Sequence, residues 1–142
     1  MRLRADSEAD LERFIRRVAE SDEVWALKGP DGMTVCESLE FGTDEDPATV
    51  MLFFSDEAYA RRVLASHFPG QAPHRIALFD FMYRWLPGMS GDGVVAGPNW
   101  SADLTGREEE PFELRERIEA AMTPEHLKAH EERFRELSAR EG

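Results

Sequence analysis

The chain has one cysteine and no long hydrophobic run, and these two deficits limit the class of protein it can be. A lone cysteine, Cys36, cannot form an intramolecular disulfide, which suits a reducing compartment. The longest strongly apolar run, Val50 to Phe54, is far too short to cross a bilayer. The stretch from Met1 to Asp6 lacks the apolar region of a signal peptide. We therefore expect a cytoplasmic protein without a membrane partner.

Positive charge is also scarce. The 142 residues contain 17 lysines and arginines against 29 aspartates and glutamates, which gives a net charge of −12. Nucleic acids would be repelled, because binding them requires basic groups that neutralise phosphates. The charge favours a basic protein or a cationic ligand as partner. The alternative is that the acidity serves only to keep the protein in solution.

The chain is nevertheless long and apolar enough to fold as one domain. Its length matches a single domain, and 42% of its residues are hydrophobic, which excludes a disordered chain. A domain of this size buries roughly 68–70% of the surface of its unfolded chain. It therefore needs no disulfide or metal to be stable.

Hydrophobic periodicity predicts both helices and strands. A first helix running to about Glu20 follows from an i, i+3, i+4, i+7 pattern in Leu11, Phe14, Ile15 and Val18. Strands are predicted at residues 23–28, 33–39, 49–54, 75–79 and 94–96, the first two forming a hairpin. Further helices are predicted after Ser55 and Asp80, and two more after Pro111 and Thr123.

These elements predict an α+β fold. We expect a single sheet of about five mostly antiparallel strands, with helices packed mainly on one face and a C-terminal helical tail. Residues 1–110 would form the domain, and residues 111–142 a helical extension of it. The strand–helix–strand unit from Thr49 to Phe79 could instead be a parallel crossover.

Templates for catalysis and cofactor binding are missing from the sequence. There is no glycine-rich phosphate loop and no G-x-S-x-G motif. Cys36 lies in a predicted strand with no neighbouring signature of a nucleophile, and free cysteines are usually small buried hydrophobes. The sequence therefore identifies no catalytic residue and no cofactor.

Two histidines have a spacing that could suit a metal. His126 and His130 stand at i, i+4 on the last predicted helix, so both could point at one ion. The zincin pattern needs glutamate directly after the first histidine, where Leu127 stands, and no third ligand appears at a recognisable spacing. The acidic loop at residues 44–46 lacks the ligand spacing of a calcium loop. The sequence alone therefore assigns no metal site.

The stretch from Trp85 to Asp103 is the strongest candidate for a binding site. It combines Trp85, Trp100, Asn99 and Asp103 around tight turns, as ligand sites and partner anchors do. The alternative is that the tryptophans are core residues and that Asn99 and Asp103 bond their own backbone. Our candidate binding residues, with two from the predicted hairpin, are Trp25, Glu37, Asn99, Trp100 and Asp103.

A series of short motifs in a fixed order gives the chain a family resemblance. In order these motifs are Val24-Trp25-Ala26-Leu27, Asp31-Gly32, Glu37-Ser38, Phe54-Ser55-Asp56, Ala58-Tyr59-Ala60, Trp85-Leu86-Pro87-Gly88-Met89, Asp92-Gly93 and Gly97-x-Asn99-Trp100. Over about residues 10–110 the chain resembles the DUF2750 family of uncharacterised bacterial proteins. The resemblance implies a single intracellular bacterial domain and carries over no activity.

Two functions remain open from the sequence. The first is a non-enzymatic protein-binding module whose acidic surface meets a basic protein, similar by analogy to a small antitoxin or immunity protein. The second is a small-molecule-binding or hydrolytic protein that uses the Trp85–Asp103 region. A concave pocket where Trp100, Asn99 and Glu37 converge would favour the second, and a flat acidic face the first. The tail helix could mediate a dimer.

Overall fold

The computed structural model describes residues 4–141, which form a six-stranded sheet with helices on both faces. The elements are α1 (Arg4–Ser21), β1 (Glu23–Gly29), β2 (Gly32–Met33), β3 (Val35–Gly42), β4 (Pro47–Phe54), α2 (Glu57–His67), β5 (Ala72–Ala77), α3 (Leu78–Asp80), α4 (Leu86–Gly91), β6 (Val94–Pro98), α5 (Pro111–Ala121) and α6 (Pro124–Glu141). A π-helical turn, Phe81–Trp85, joins α3 and α4 into one helix. The predicted α+β architecture is confirmed.

The sheet is mixed, with one parallel pair among the described strands. β5 runs antiparallel along the whole of β1, and β1 meets β4 at Trp25 and Phe54. β4 pairs in parallel with β6 from Thr49 to Phe53. The parallel connection therefore leads from β4 to β6 and not from β4 to β5, because β5 pairs with β1 instead.

The predicted hairpin between residues 23–28 and 33–39 forms only at its turn. β2 pairs with β1 through Met33 and Gly32, and β3 then pairs with β4, with Val35 opposite Met51. Since β5 covers one edge of β1, β2 and β4 must share the other. The alternating pattern predicted the extended segment but could not specify its partner, because pairing depends on which edge is free.

Two hydrophobic clusters, one on each face of the sheet, fix the helices. Phe53 packs with α1, the α3–α4 helix and α5, whereas Leu52 and Phe54 pack with α2 and Trp100. Side chains of a strand alternate between faces, so β4 serves both clusters. Most helices therefore lie on one face, as predicted, and α2 covers the other.

The last helix, α6, packs against the first of these clusters. Leu127 and Leu137 are half-buried against it, and the ring of Phe134 stacks on Tyr83 with centroids 4.8 Å apart. Burial beside Phe79, together with the charge of His126, lowers the pKa of His130. Among residues 4–141, no helix is long and apolar enough to cross a membrane.

Candidate functional site

The carboxyl ends of β4 and β6 meet at one edge of the sheet, because neighbouring parallel strands end on the same side. Ser55 follows β4, and helix α2 begins two positions after it, at Glu57. Asn99 follows β6. Open sheets bind ligands at such carboxyl edges. The N-cap of α2 is Asp56 and not Ser55, the residue after which the helix was predicted, and no side chain caps the helix there. The Ser55 hydroxyl instead donates to Asp56 Oδ1 at 2.6 Å.

Asn99 ties the two strand ends together. Its backbone N–H donates to Phe53 O at 2.8 Å, and its side-chain oxygen accepts the Ser55 N–H at 2.9 Å. Its side-chain nitrogen donates to Ser55 Oγ at 3.0 Å. Asn99 has φ 48°, the left-handed region that asparagine tolerates better than most residues with a side chain. The buried amide therefore fixes both the turn after β6 and the start of the connection to α2.

An ion pair extends this network to α1. Arg17 Nε donates to Asp56 Oδ1 at 2.7 Å, and Arg17 Nη2 binds the other oxygen, so the pair is bidentate. Burial by itself would raise the pKa of Asp56, but the hydrogen bonds from Arg17 and Ser55 and the charges of Arg17 and Arg13 outweigh it. The pKa of Asp56 is held below its usual value, so the carboxylate is ionised at neutral pH.

A cavity of about 390 Å³ opens beside Asn99, and we call it the carboxyl-edge cavity. Its walls come from α1, α2 and the turn after β6, with side chains of Asp10, Arg13, Tyr59, Arg62, Val63, Asn99, Trp100, Ser101 and Ala102. Arg13 pairs with Asp10 at 2.9 Å. The guanidinium of Arg62 lies over the Tyr59 ring, 5.6 Å from its centroid, and has no ion pair within residues 4–141.

A second cavity, of about 450 Å³, lies on the other side of the Ser55–Asn99 contact. Its charged wall is mainly acidic: Glu20, Glu23, Asp56 and Glu57 outnumber the single basic residue, Arg17. Trp25 is half-buried in this wall. The Arg17–Asp56 pair already occupies the donors and acceptors at its centre.

Trp100 forms the floor of the carboxyl-edge cavity and belongs to the core. Its indole N–H donates to Arg107 O at 2.8 Å, and its ring packs in the cluster below α2. A Cβ placed on Gly97 would lie 2.7 Å from Trp100 Nε1, and one placed on Gly106 would lie 2.4 Å from Cδ1. The ring therefore fits only because glycine stands at both positions.

The structure gathers some of the predicted binding residues and separates others. Trp25, Asn99 and Trp100 all lie at the carboxyl edge. Glu37 is exposed on β3 and lines a different cavity, whereas Asp103 is exposed and accepts hydrogen bonds from its own turn. Trp85 packs edge-on to Phe53 on the opposite face of the sheet from Trp100. The Trp85–Asp103 region is thus not one site.

The basic residues of the two adjacent cavities were missed by sequence reasoning. Arg13 and Arg17 are one turn apart on the polar face of α1, and Arg62 lies in the middle of α2. The sequence places them on helices, where exposed arginines are ordinary. Only the packing of α1 and α2 at the carboxyl edge brings these arginines to the walls of the two adjacent cavities.

The separate sequence motifs meet at this edge. The segments around Trp25, Ser55–Tyr59 and Asn99 lie far apart in the chain but line the two adjacent cavities. A family model described as a protein of unknown function (DUF2750) matches residues 11–118. No curated protein matches the chain. Because the family model covers most of its length, the chain belongs to the DUF2750 family of proteins of unknown function.

Proposed function

We propose that this protein binds a small anionic molecule, a carboxylate or phosphate compound, in the carboxyl-edge cavity. The observation that carries the proposal is the position of Arg62. Arg62 lines this cavity, its guanidinium lies over the Tyr59 ring, and it has no acidic partner within residues 4–141, in a chain with a net charge of −12. In such an acidic chain, an arginine lining a cavity without an acidic partner is available for an anionic ligand.

The chemistry of the wall supports an anion. Two guanidinium groups, Arg13 and Arg62, line the cavity against one carboxylate, Asp10. Guanidinium groups match the planar geometry of carboxylate and phosphate oxygens and bind them through paired hydrogen bonds. Tyr59 adds a hydroxyl that can donate to the same ligand. The local charge is therefore opposite in sign to that of the whole chain.

The rigidity of the wall supports binding of a defined molecule. Asn99 is 5% exposed and Trp100 is 7% exposed, and hydrogen bonds hold both. A wall fixed in this way loses little conformational freedom when a ligand binds. The side chains lining the cavity include no histidine, the commonest general base, and no cysteine, the strongest thiol nucleophile. This composition favours binding over hydrolysis.

The test is a search for anionic ligands with two matched arginine variants. Carboxylates and phosphorylated compounds are screened by thermal shift at low salt, and binding of those that raise the melting temperature is measured by calorimetry. Arg62→Gln should weaken the affinity at least about tenfold, as expected when a charged hydrogen bond is lost. Arg61→Gln makes the same charge change on the next residue, which pairs with Glu57 outside the cavity, and should leave the affinity unchanged. Equal effects of both variants, or no anionic ligand, would contradict the proposal.

A second proposal, carried by another observation, is that the edge of β3 binds a basic protein. Leu39 is 93% exposed and Val35 is 46% exposed, an unusual display of large apolar side chains. Glu37 and Glu40 are exposed on the same strand, next to the acidic loop at residues 44–46. The exposed apolar side chains would pack against a partner, and the neighbouring acids would select a basic one.

This second proposal is tested by affinity capture with a surface variant. Wild-type protein should retain a basic protein at low salt and release it as salt rises, because screening weakens attraction between exposed charges. Leu39→Ser should retain much less of it. The control is Phe112→Ser, which changes an exposed apolar residue of α5 and should behave like wild type. If the amount of captured protein depended neither on salt concentration nor on the Leu39→Ser substitution, β3 would not be the binding surface.

A further inference from the structure

Three side chains with metal-binding atoms meet where α1 ends and α6 begins. Asp22 follows the last residue of α1, and its Oδ1 lies 2.6 Å from His126 Nε2 and 3.7 Å from His130 Nε2. The ligand atoms of the three residues all lie within 4.8 Å of one another. The third ligand, which the histidine spacing alone did not supply, comes from a residue about a hundred positions away in the sequence.

The backbone holds these groups in place. Asp22 has φ 64°, its N–H donates to Val18 O at 3.1 Å, and its carbonyl accepts Leu78 N–H at 2.8 Å. On the other side, the N–H of His126 donates to Thr123 Oγ1 at 3.2 Å in the first turn of α6. The two histidines stand one turn apart on that helix, with ring centroids separated by 4.7 Å. Both elements therefore present their ligand atoms without rearrangement of the backbone.

His130 has hydrogen-bonding capacity that the described residues leave unused. Its side chain is only 13% exposed, and its Nδ1 is buried with no hydrogen-bond partner within residues 4–141. Its Nε2, at 3.7 Å from Asp22, is beyond hydrogen-bond distance. Nε2 is the nitrogen nearest Asp22, and it therefore has no hydrogen bond among the described residues and can serve as a metal ligand.

We propose that Asp22, His126 and His130 bind one divalent transition-metal ion, with Zn²⁺ the best fit. Two imidazoles and one carboxylate are an established zinc ligand set, which leaves a fourth position for water. With zinc–ligand bonds of about 2.0–2.1 Å, tetrahedral ligand atoms lie roughly 3.3 Å apart. The Asp22–His126 separation would widen to this value and the Asp22–His130 separation would shorten to it, each by less than about 1 Å.

The ion would act as a staple. Its ligands belong to the end of α1 and the first two turns of α6, so coordination fixes the C-terminal helix to the domain. Binding to the folded state alone raises stability by mass action, because the unfolded chain does not hold the three ligands together. We therefore expect the melting temperature to rise with the concentration of Zn²⁺.

The experiment measures Zn²⁺ binding to the full chain after treatment with a chelator. Calorimetry should show one equivalent bound to the wild type, and Asp22→Asn and His126→Gln should each weaken binding by at least about tenfold, since each removes a ligand. His67→Gln and Cys36→Ser remove other potential zinc ligands outside the cluster and should bind as wild type does. Circular dichroism of the metal-free variants shows whether each one is folded.

A second measurement does not depend on variants. In wild-type protein, Zn²⁺ should shift the imidazole NMR signals of His126 and His130 and leave those of His67 and His74 in place. No stoichiometric binding, or shifts at His67 or His74 instead, would overturn the proposal. So would an affinity that falls in Cys36→Ser and not in His126→Gln.

Discussion

The amide of Asn99 binds both the backbone N–H and the hydroxyl of Ser55, at 2.9 and 3.0 Å. Two residues that are 44 positions apart thereby close the ends of neighbouring parallel strands. Because both residues are buried, water cannot replace either hydrogen bond if one partner is removed. This contact fixes one wall of the carboxyl-edge cavity and should dominate the response of this edge to substitution.

Substitution of Asn99 should separate hydrogen bonding from backbone strain. Asn99→Ala leaves the buried N–H of Ser55 without a partner, removes one of the two hydrogen bonds of its hydroxyl and puts alanine at φ 48°, so we expect a loss of about 2–4 kcal/mol of unfolding free energy. Asn99→Gly loses the same hydrogen bonds but tolerates the left-handed backbone, and should cost less than Asn99→Ala. Urea unfolding measures both. If both variants matched wild type, the contact would not stabilise the fold.

The glycines around Trp100 give a second prediction. Gly97→Ala and Gly106→Ala each place a Cβ under 3.0 Å from the indole ring, and overpacking of this kind costs about 1–3 kcal/mol. Gly88→Ala is the matched control, because it lies in α4 with nothing within 4 Å of the new Cβ, and it should be neutral or slightly stabilising. Thermal unfolding with Trp fluorescence compares the three. A Gly97 variant as stable as the Gly88 variant would contradict the packing described.

The Arg17–Asp56 pair predicts how stability depends on pH. The folded pKa of Asp56 lies below its unfolded value, so its contribution is complete above the unfolded pKa and is lost as pH falls through the folded pKa. Asp56→Asn should therefore melt at a lower temperature than wild type near neutral pH. The difference should disappear in acid, and it should be modest because Arg17 is half-exposed.

The control for this pH dependence is Asp31→Asn. Asp31 is exposed in the turn between β1 and β2 and has no ion pair within the described residues, so its replacement removes a charge but no partner. Its melting curves should follow wild type at every pH. If the difference in melting temperature between Asp56→Asn and wild type grew larger in acid, the pKa of Asp56 would not be lowered by folding, and the prediction would be wrong.

The last prediction concerns the C-terminal helix. α6 contacts the domain through half-buried Leu127 and Leu137 and through the stack of Phe134 on Tyr83, whereas Leu114 and Ile118 of α5 are fully buried. Removal of residues 124–142 should lower the melting temperature but leave one cooperative transition. Removal of residues 111–142, which also takes away α5, should abolish the cooperative transition. If the protein without residues 124–142 lost its cooperative transition, α6 would be part of the core. Sedimentation of the full chain tests separately whether α6 also joins two copies.

The sequence by itself determined most of the elements and the faces that they bury, although α3 begins at Leu78 and not after Asp80 as predicted. Leu11, Phe14 and Val18 are fully buried on α1, as their helical spacing predicted. A helix with one apolar face is stable in water only when that face packs against the rest of the domain. The apolar run of β4 is likewise buried between two layers. Local pattern decides these features, since each depends on residues within a few turns of one another.

Only the tertiary structure decided which residues share a site. Trp85 and Trp100 lie close in sequence, but they pack in clusters on opposite faces of the sheet. Conversely, Arg62 lines the same cavity as Asn99, and Asp22 lies 3.7 Å from His130, across long stretches of chain. Such meetings depend on strand order and on the packing of helices across strand ends, and neither is encoded in the spacing of nearby residues.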